Sequence, residues 1–334
     1  MKTPVGIIGF RGYSGAELAA ILSRHPHVEP VLLEHREAGD GPDPIGRSGP
    51  RRIPYSPDVV RSAGLAAVCL ATPAGVSMEL APALLAAGAK VIDLSGAFRL
   101  GTVEDYERWY KERHTQPGLL AEAAYGLPEF CRSRIPSARL IANPGCYPTA
   151  ANLALRPLVD AGAIVRESGI VCDAKSGASG AGRSPTLKTS FCEVAGNLSA
   201  YSILEHRHVP EILRTSGLDE GELSFTAQLL PLDRGILETI YFRAKAVRSA
   251  QDLLDIYQNR YAAEPFVRIY PSGQVPDLRA VVRTNFCDIG VRYDPPTGRA
   301  VVVAAIDNLG KGAAGQAAQN LNLALGYVET AGLL

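Results

Sequence analysis

The sequence lacks an excess of either charge and lacks any long hydrophobic run. Lysine plus arginine and aspartate plus glutamate each number 34, so no overall field attracts nucleic acid or an anionic membrane, and any anion site must be local. No apolar stretch approaches the roughly 18 residues that a transmembrane helix requires. These absences argue against a nucleic-acid-binding protein and against a membrane protein.

Cysteine pairs at metal-ligand spacing are also absent. The six cysteines are scattered without a Cys-x-x-Cys motif, which predicts reduced thiols rather than a zinc site or a disulfide framework. The chain begins Met1-Lys2-Thr3-Pro4 and runs into an apolar segment with no signal peptide. We therefore expect a cytoplasmic protein without bound metal, and its 334 residues suffice for two domains.

A predicted strand followed by a glycine turn opens the chain. Residues 5–9 are apolar, and a helix-like stretch at 16–25 follows the turn. Glycine at three-residue spacing lets backbone amides approach a pyrophosphate at the positive end of that helix. The predicted cofactor-binding residues here are Gly9, Gly12, Tyr13, Ser14 and Gly15.

The next predicted strand, residues 28–34, ends where dinucleotide-binding folds select their cofactor. Glu34 suits a ribose 2′-hydroxyl, whereas His35 and Arg36 suit a 2′-phosphate. We favour NADP(H), with Arg36 as the cofactor-binding residue.

Strands and helices alternate through the first half of the chain. Predicted strands at 65–71 and 90–94 are each followed by a turn, and Pro73 lies in the first of these turns as a candidate cofactor-binding residue. The stretch 39–57 is rich in glycine, proline and arginine, which predicts a surface loop. The alternation predicts an α/β Rossmann-type domain with a doubly wound parallel sheet.

Ser95 and Arg99 follow the strand at 90–94 and so belong to the sheet edge where such folds bind ligands. A fixed guanidinium there can hold a carboxylate or a phosphate. An interdomain salt bridge is the alternative for Arg99. We take Ser95, Arg99 and Asn143 as candidate substrate-binding residues.

The sequence Asn-Pro-Gly-Cys-Tyr-Pro-Thr at 143–149 places Cys146 on a tight turn, ahead of a helix predicted at 150–161. Pro144 and Gly145 supply turn geometry. A helix dipole and free backbone N–H groups favour the thiolate, which is the reactive form of cysteine. Cys146 is therefore the candidate nucleophile, and the alternative is a small buried hydrophobe.

A glycine- and serine-rich segment, residues 175–183, follows a strand predicted at 169–174. Glycine and serine between two cations suit a close approach of the backbone to an anion or a flat ring. A flexible linker would have the same composition and is the alternative. The candidate substrate-binding residues are Lys175, Ser179 and Arg183, and the candidate cofactor-binding residues are Ser176 and Gly177.

His206 and His208 form the only close histidine pair in the second half of the chain. Residues two apart in an extended segment face the same way, so both rings can point into one site. We expect an acid-base role beside Cys146, with Glu211 as an orienting carboxylate. A third metal ligand is missing nearby, so zinc is not predicted, and the spacing leaves open which histidine transfers the proton.

The second half of the chain alternates as strands separated by turn residues, which predicts an α+β domain with a mixed or antiparallel sheet. We expect a dinucleotide-binding domain over 1–145 and a catalytic domain over 146–312. A C-terminal helix, 313–330, is expected to return to the first domain.

Together these motifs resemble the N-acetyl-gamma-glutamyl-phosphate reductase family, of the aspartate-semialdehyde dehydrogenase-like superfamily. The resemblance covers essentially the whole chain, and its motifs lie at 9–18, 93–99, 143–149, 175–183, 206–212 and 307–316. Ala97 stands where the family commonly has aspartate, and Gly310 stands where it commonly has valine. The first departure affects the local support of Arg99.

The resemblance implies NADPH-dependent reduction of N-acetylglutamyl phosphate to the semialdehyde for arginine biosynthesis. Cys146 would form a thioester, and His206 or His208 would manage the proton on the hemithioacetal oxygen. Arg99 would bind a substrate anion, while residues 177–182 and Asn308 would position nicotinamide and substrate. It also implies a homo-oligomer, a dimer or a tetramer, that acts on a small molecule.

Two alternatives remain. The first is a sister enzyme that reduces an aminoadipyl or glutamyl phosphate on a small acidic carrier protein, which would need basic residues around the site entrance. The second is a non-catalytic nucleotide-sensing protein, which would not need Cys146.

Overall fold

The computed structural model describes residues 2–35 and 49–334. The chain forms two compact units, each assembled from separate stretches. The first comprises Met1–Tyr106, Glu112–Pro144 and Ala313–Leu334, and the second comprises Glu107–Lys111 and Gly145–Gly312. Within residues 2–35 and 49–334, no helix has the length and apolar character needed to cross a membrane.

The first unit is built on one sheet of seven strands. They are β1 (Thr3–Ile8), β2 (Val28–Glu34), β3 (Arg51–Pro54), β4 (Ala67–Leu70), β5 (Lys90–Asp93), β6 (Ala124–Tyr125) and β7 (Leu140–Ala142). Their order is β3-β2-β1-β4-β5-β7-β6, and every neighbouring pair is parallel. The order reverses between β1 and β4, and ligands bind at the carboxyl ends of strands beside such a reversal. The predicted α/β parallel sheet is confirmed.

The helices, in chain order, are α1 (Tyr13–Ser23), α2 (Pro57–Ser62), α3 (Ala74–Ala86), α4 (Val103–Tyr110), α5 (Pro117–Glu122), α6 (Pro128–Cys131), α7 (Cys146–Asp160), α8 (Phe191–Val194), α9 (Val209–Ser216), α10 (Ala250–Tyr261) and α11 (Gly315–Ala324). Helix α7 begins at Cys146 itself, four residues before the predicted start. Pro148 does not delay the helix because proline is compatible with a first helical turn.

The core of the first unit includes the inner strand β1 and helices from both ends of the chain. Val5 and Ile7 of β1 are fully buried, and so are Leu18 of α1 and Leu321 of α11. Strands β4 and β7 are apolar and buried along their whole length because helices cover both faces of a parallel sheet. Helix α11 thus completes the core of the unit that the chain began to form with β1.

Residues 39–48 of the predicted surface loop lie outside the described residues, and the part at 49–57 contains strand β3, which corrects the prediction there. Strand β3 pairs with β2 at the edge of the sheet, with Val31 opposite Arg51. Its first two residues, Arg51 and Arg52, are exposed, and a short charged edge strand carries no apolar pattern to reveal it.

The second unit contains a mixed sheet of seven strands, as predicted. They are β8 (Ile170–Gly177), β9 (Ser199–Tyr201), β10 (Leu223–Leu230), β11 (Ile236–Arg243), β12 (Val267–Ile269), β13 (Cys287–Asp294) and β14 (Arg299–Ile306). Their order is β12-β13-β14-β11-β8-β10-β9. Strands β8 and β10 pair in parallel, as do β12 and β13, and the other pairs are antiparallel.

One face of this second sheet is packed and the other is partly open. Helix α7 contacts β11, β13 and β14, and α10 packs against α7 and β13. The hydroxyl of Tyr261 in α10 donates to the carbonyl of Leu153 in α7 at 2.6 Å. On the opposite face Val171 and Tyr241 are paired across β8 and β11, and each is about half exposed. We call this surface the open face; its residues are Val171, Lys175, Thr239, Tyr241 and Val301.

Candidate active site

The glycine turn of the first unit has the form that a dinucleotide phosphate requires. Gly9 has φ +85°, a conformation that favours glycine, and Gly12 is the N-cap of α1 with no side-chain cap. A Cβ on Gly15 would lie 2.3 Å from the carbonyl oxygen of Gly9, so the helix and the turn approach too closely for alanine. Tyr13 and Ser14 form the first turn of α1, where unpaired N–H groups and the dipole attract anions.

Two cations that the motif analysis missed lie near this turn. The guanidinium carbons of Arg11 and Arg52 are 4.7 and 5.5 Å from the ring centroid of Phe10. Arg11 Nη2 also donates to Glu34 Oε1 at 3.0 Å, at the end of β2. The predicted cofactor residue Arg36 lies outside the described residues. Arg52 could not be placed beside Phe10 because its strand was predicted as a loop.

Arg99 holds two strand ends together in the first unit. It is buried, and it donates through Nε to Asn143 O at 2.8 Å and through Nη2 to Leu94 O at 2.9 Å. Ser95 donates through Oγ to Asp93 Oδ2 at 2.7 Å, and burial raises the pKa of Asp93. Two backbone carbonyls therefore hold Arg99, with Ala97 at the position where the resemblance leads one to expect aspartate.

The Asn143 side chain is used inside the first unit. Its Nδ2 donates to Ala313 O at 3.1 Å, and its Oδ1 accepts from Asn320 Nδ2 at 2.9 Å. Asn143 is fully buried. Both polar groups of the Asn143 side chain therefore bond to the C-terminal part of the chain, and its substrate-binding role stays a prediction.

The turn before Cys146 is held by three hydrogen bonds around Gly145. Gly145 N donates to Glu211 Oε1 at 2.7 Å, and Gly145 O accepts from the backbone N and the hydroxyl of Thr149 at 3.0 and 2.9 Å. Cys146 is partly exposed and is the first residue of α7. The nucleophile candidate thus stands at the positive end of a 15-residue helix.

Gly312 packs directly against Cys146. A Cβ on Gly312 would lie 2.8 Å from Cys146 Cβ, closer than side chains pack. Gly312 belongs to a π-helical turn, Gly310–Ala314, that precedes α11. Gly312 N donates to Asp307 O at 2.9 Å, so the segment beginning at Asp307 sets the approach of this glycine.

Asp307, the first residue of the motif at 307–316, is buried and was not among the predicted site residues. Its Oδ1 accepts from Leu309 N and Gly310 N at 2.8 and 3.1 Å, and its Oδ2 accepts from Arg283 N at 2.6 Å. A Cβ on Gly310 would lie 2.3 Å from Thr284 O. The turn in this chain therefore requires glycine at a position where the resemblance leads one to expect valine.

An aromatic cluster follows Cys146 within the second unit. The ring of Tyr147 lies 5.5 Å from His206 and 6.0 Å from His208, edge to face. The two histidine rings are 4.8 Å apart. The Tyr147 hydroxyl lies 3.1 Å from that of Tyr201, and burial raises the pKa of Tyr147. Tyr147 and Tyr201 were not predicted, although Tyr147 is adjacent to the nucleophile.

His206 is held as a neutral ring. Its Nδ1 accepts the backbone N–H of His208 at 3.1 Å, which leaves the proton of the neutral ring on Nε2. Burial, reinforced by the charge of Arg207, lowers the pKa of His206 from 6.5 to about 4. His206 therefore presents an N–H donor at neutral pH.

Ser176, Ser179 and Asn308 form a second polar group in this unit. Asn308 Nδ2 donates to Ser179 Oγ at 2.9 Å, and Asn308 Oδ1 accepts from Gly235 N at 2.7 Å. A Cβ on Gly177 would meet Arg234 N at 2.8 Å. Ser176 is buried, and its hydroxyl donates to the carbonyl oxygen of Gly177 at 3.0 Å.

Lys175 is separated from Ser176 by the alternation of β8. It pairs with Asp173 Oδ2 at 2.5 Å on the open face, whereas Ser176 belongs to the packed face. Lys175 thus forms an ion pair on that face, and its substrate-binding role stays a prediction. Arg183 is exposed. Among residues 2–35 and 49–334, no cluster of three or more His, Cys, Asp or Glu side chains is arranged to hold a metal ion.

Comparison with known proteins agrees with these features. A family model described as "Semialdehyde dehydrogenase, NAD binding domain" matches residues 4–138, and one described as "Semialdehyde dehydrogenase, dimerisation domain" matches 146–308. The fold is that of aspartate semialdehyde dehydrogenase II from Vibrio cholerae, with a TM-score of 0.73 at 19% identity over 97% of this chain and 98% of that one.

Relatives of much higher identity share the full length. The chain is 47% identical to an N-acetyl-gamma-glutamyl-phosphate reductase of Symbiobacterium thermophilum, over 100% of this chain and 98% of the relative. It is 48% identical to the protein of that name from Shouchella clausii, over 98% and 97% of the two chains. The chain therefore belongs to the N-acetyl-gamma-glutamyl-phosphate reductase family of the semialdehyde dehydrogenases.

Proposed function

We propose that this protein reduces N-acetylglutamyl 5-phosphate to N-acetylglutamate 5-semialdehyde with NADPH, as a step of arginine biosynthesis. The observation that carries the proposal is a cysteine at the first residue of α7, adjacent to a tyrosine that packs on two histidines. The names of the full-length relatives support this substrate over a carrier-linked one, and support an enzyme over a nucleotide sensor.

The Cys146 thiolate attacks the acyl carbon of the substrate. The bond from that carbon to the phosphate oxygen breaks, phosphate leaves with the electron pair, and a thioester remains on Sγ. The dipole at the start of α7 favours the thiolate, and a thioester is more electrophilic than a carboxylate.

Bound NADPH supplies the hydride that reduces the thioester carbon. The residues that would hold its pyrophosphate are Gly9, Gly12 and Gly15 of the glycine turn, together with Tyr13 and Ser14. Pro73, which follows β4 and immediately precedes α3, would be a further cofactor contact. A Cβ on Gly15 would collide with the backbone of Gly9, so only glycine allows this close turn. Such a turn lets backbone N–H groups approach a phosphate closely.

Two cations support NADP(H) over NAD(H). Arg11 and Arg52 both lie over Phe10 near Glu34, where the adenosine ribose of a dinucleotide meets the sheet. Guanidinium groups suit a 2′-phosphate because they bind its oxygens in a planar fork. Arg36 stays a proposed third contributor.

His206 stabilises the oxygen of the tetrahedral species that follows hydride addition. Its Nε2–H donates to that oxygen while the oxygen carries negative charge, and His208 holds the ring through its backbone N–H. The oxygen then re-forms the carbonyl, the carbon–sulfur bond breaks, and the aldehyde leaves with Cys146 again a thiolate.

The remaining predicted site residues stay part of this proposal. The residues that would contribute to substrate binding are Ser95, Arg99, Asn143, Lys175 and Arg183. Ser179 with Asn308, and Ser176 with Gly177, would position substrate and nicotinamide, because each side chain is fixed by a neighbouring hydrogen bond or a close backbone contact.

We also propose a homo-oligomer in the cytoplasm. The open face presents Val171 and Tyr241, each about half exposed, on the unit that matches a dimerisation domain. A second copy of the chain would cover these apolar groups. The six cysteines are free thiols, which suits a reducing compartment.

The reverse reaction tests substrate, cofactor and chemistry together. With N-acetylglutamate semialdehyde, phosphate and NADP, we expect phosphate-dependent formation of NADPH, measured by absorbance. Cys146→Ser should abolish it while NADPH binding, followed by fluorescence, persists; Cys192→Ser, an exposed cysteine, is the matched control. No NADPH formation by the wild-type protein in the complete mixture would refute the proposal.

A further inference from the structure

Glu211 makes a hydrogen bond outside the histidine segment. A carboxylate beside a histidine pair is expected to orient a ring, and Glu211 Oε1 also accepts the backbone N–H of Gly145 at 2.7 Å. Gly145 is the N-cap of α7 and immediately precedes Cys146. The carboxylate therefore acts on the turn that carries the nucleophile.

This bond gives the N–H of the N-cap residue a side-chain acceptor that the third residue of α7 does not provide. In a capping box, the third residue of a helix sends an acidic side chain back to the N–H of the N-cap residue. The third residue of α7 is Pro148, which has no such side chain. Glu211 provides the acceptor from another element, and it is only 1% exposed, so water does not compete for the bond.

The same residue belongs to the histidine segment. His208 is the N-cap of α9, Glu211 lies in the first turn of that helix, and α9 packs against α7. His206 is tied to this start through its bond to His208 N. The bond from Gly145 to Glu211 thus joins the start of the cysteine helix to the start of the histidine helix.

We infer that Glu211 is a positioning residue for Cys146: by accepting the Gly145 N–H, it fixes the Sγ atom relative to the histidine pair. The inference rests on the proposed function for its kinetic consequence. Its structural content, the placement and reactivity of the thiol, is independent of substrate.

Three substitutions of Glu211 distinguish the effect of its hydrogen-bond acceptor from the effect of its charge. Glu211→Gln keeps an oxygen at the same reach but removes the charge, Glu211→Asp keeps the charge but withdraws the oxygen, and Glu211→Ala removes both. Glu193→Gln, an exposed carboxylate of the same unit, is the control. The readouts are kcat and KM in the reverse assay, the pH profile of kcat, and the rate at which iodoacetamide alkylates Cys146, followed by peptide mass spectrometry.

We expect Glu211→Gln to retain kcat within a few fold with an unchanged pH profile, while Glu211→Asp and Glu211→Ala lose about a hundredfold in kcat, the cost of a misplaced reacting group. The KM for NADP should stay constant, and Cys146 alkylation should change only in the Asp and Ala variants. Equal loss in Gln and Ala, or an Asp variant more active than Gln, would overturn the inference.

Failure of the proposed function would be distinguishable from failure of the inference about Glu211. If the wild-type protein does not reduce NADP in the complete mixture, the alkylation series without substrate still decides the role of Glu211. If Glu211→Ala does not fold, the ranking of the Gln and Asp variants decides it alone.

Discussion

His206 Nδ1 accepts the backbone N–H of His208 at 3.1 Å. A protonated ring cannot keep this bond, because both of its nitrogens are then donors. The fold therefore selects the neutral form of His206, and this selection can be measured as a pH dependence of stability.

The pKa of His206 is lowered from 6.5 to about 4, so its stabilising contribution is complete above pH 6.5 and is lost as the pH falls from 6.5 towards 4. The shift corresponds to about 3 kcal/mol of unfolding free energy. Urea unfolding at pH 7.5 and pH 4.5 should show this loss in the wild-type protein. His206→Gln should lose correspondingly less, and equal pH dependence in both proteins would contradict the prediction.

Gly312→Ala should reduce kcat about a hundredfold or more, because the added Cβ would lie 2.8 Å from Cys146 Cβ and displace the thiol. Gly221→Ala is the matched control, since a Cβ there meets nothing within 4 Å. Circular dichroism should show both variants folded. Full activity in the Gly312 variant would mean that the contact does not hold the nucleophile in place.

Arg11→Met and Arg52→Met should each raise the KM for NADPH about tenfold to a hundredfold, because a charge-assisted contact contributes about 1.5 to 3 kcal/mol. The KM for NADH should change little, since that cofactor lacks the 2′-phosphate. Arg61→Met, which removes an exposed arginine paired with Asp58, serves as the control. Parallel losses with both cofactors would instead indicate damage to the sheet edge.

Tyr241→Asp and Val171→Lys should dissociate the oligomer, because each places a charge in the middle of the open face. Light scattering after size-exclusion chromatography would report the mass of each variant. Val328→Asp changes an equally apolar but more exposed residue of the first unit and should leave the mass unchanged. An unchanged mass in both open-face variants would place the subunit contact elsewhere.

Local chemistry made much of the architecture predictable. Alternating apolar strands and helices indicated the parallel sheet, and β2 has the predicted bounds. Turn residues placed Cys146 at the start of a helix, although α7 begins at the cysteine itself. Such features depend on neighbours in sequence, which is why a single chain reveals them.

Other features depend on distant partners. Asn143, close to Cys146 in the sequence, was predicted to bind substrate. Its side chain bonds to residues 313 and 320, which no local pattern connects to it. Arg52 needed strand β3 to reach Phe10. Lys175 differs from these residues because a local pattern was available for it. Side chains alternate between the two faces of a strand, so Lys175 and Ser176 of β8 could have been assigned to opposite faces from the sequence.

The buried core of the first unit joins Val5 and Leu18, near one end of the chain, to Ala317 and Leu321, near the other. During synthesis the helix that completes this core is therefore made after every residue of the second unit. A chain that stops after residue 312 would retain every residue of the cysteine and histidine cluster and would still lack a finished nucleotide domain.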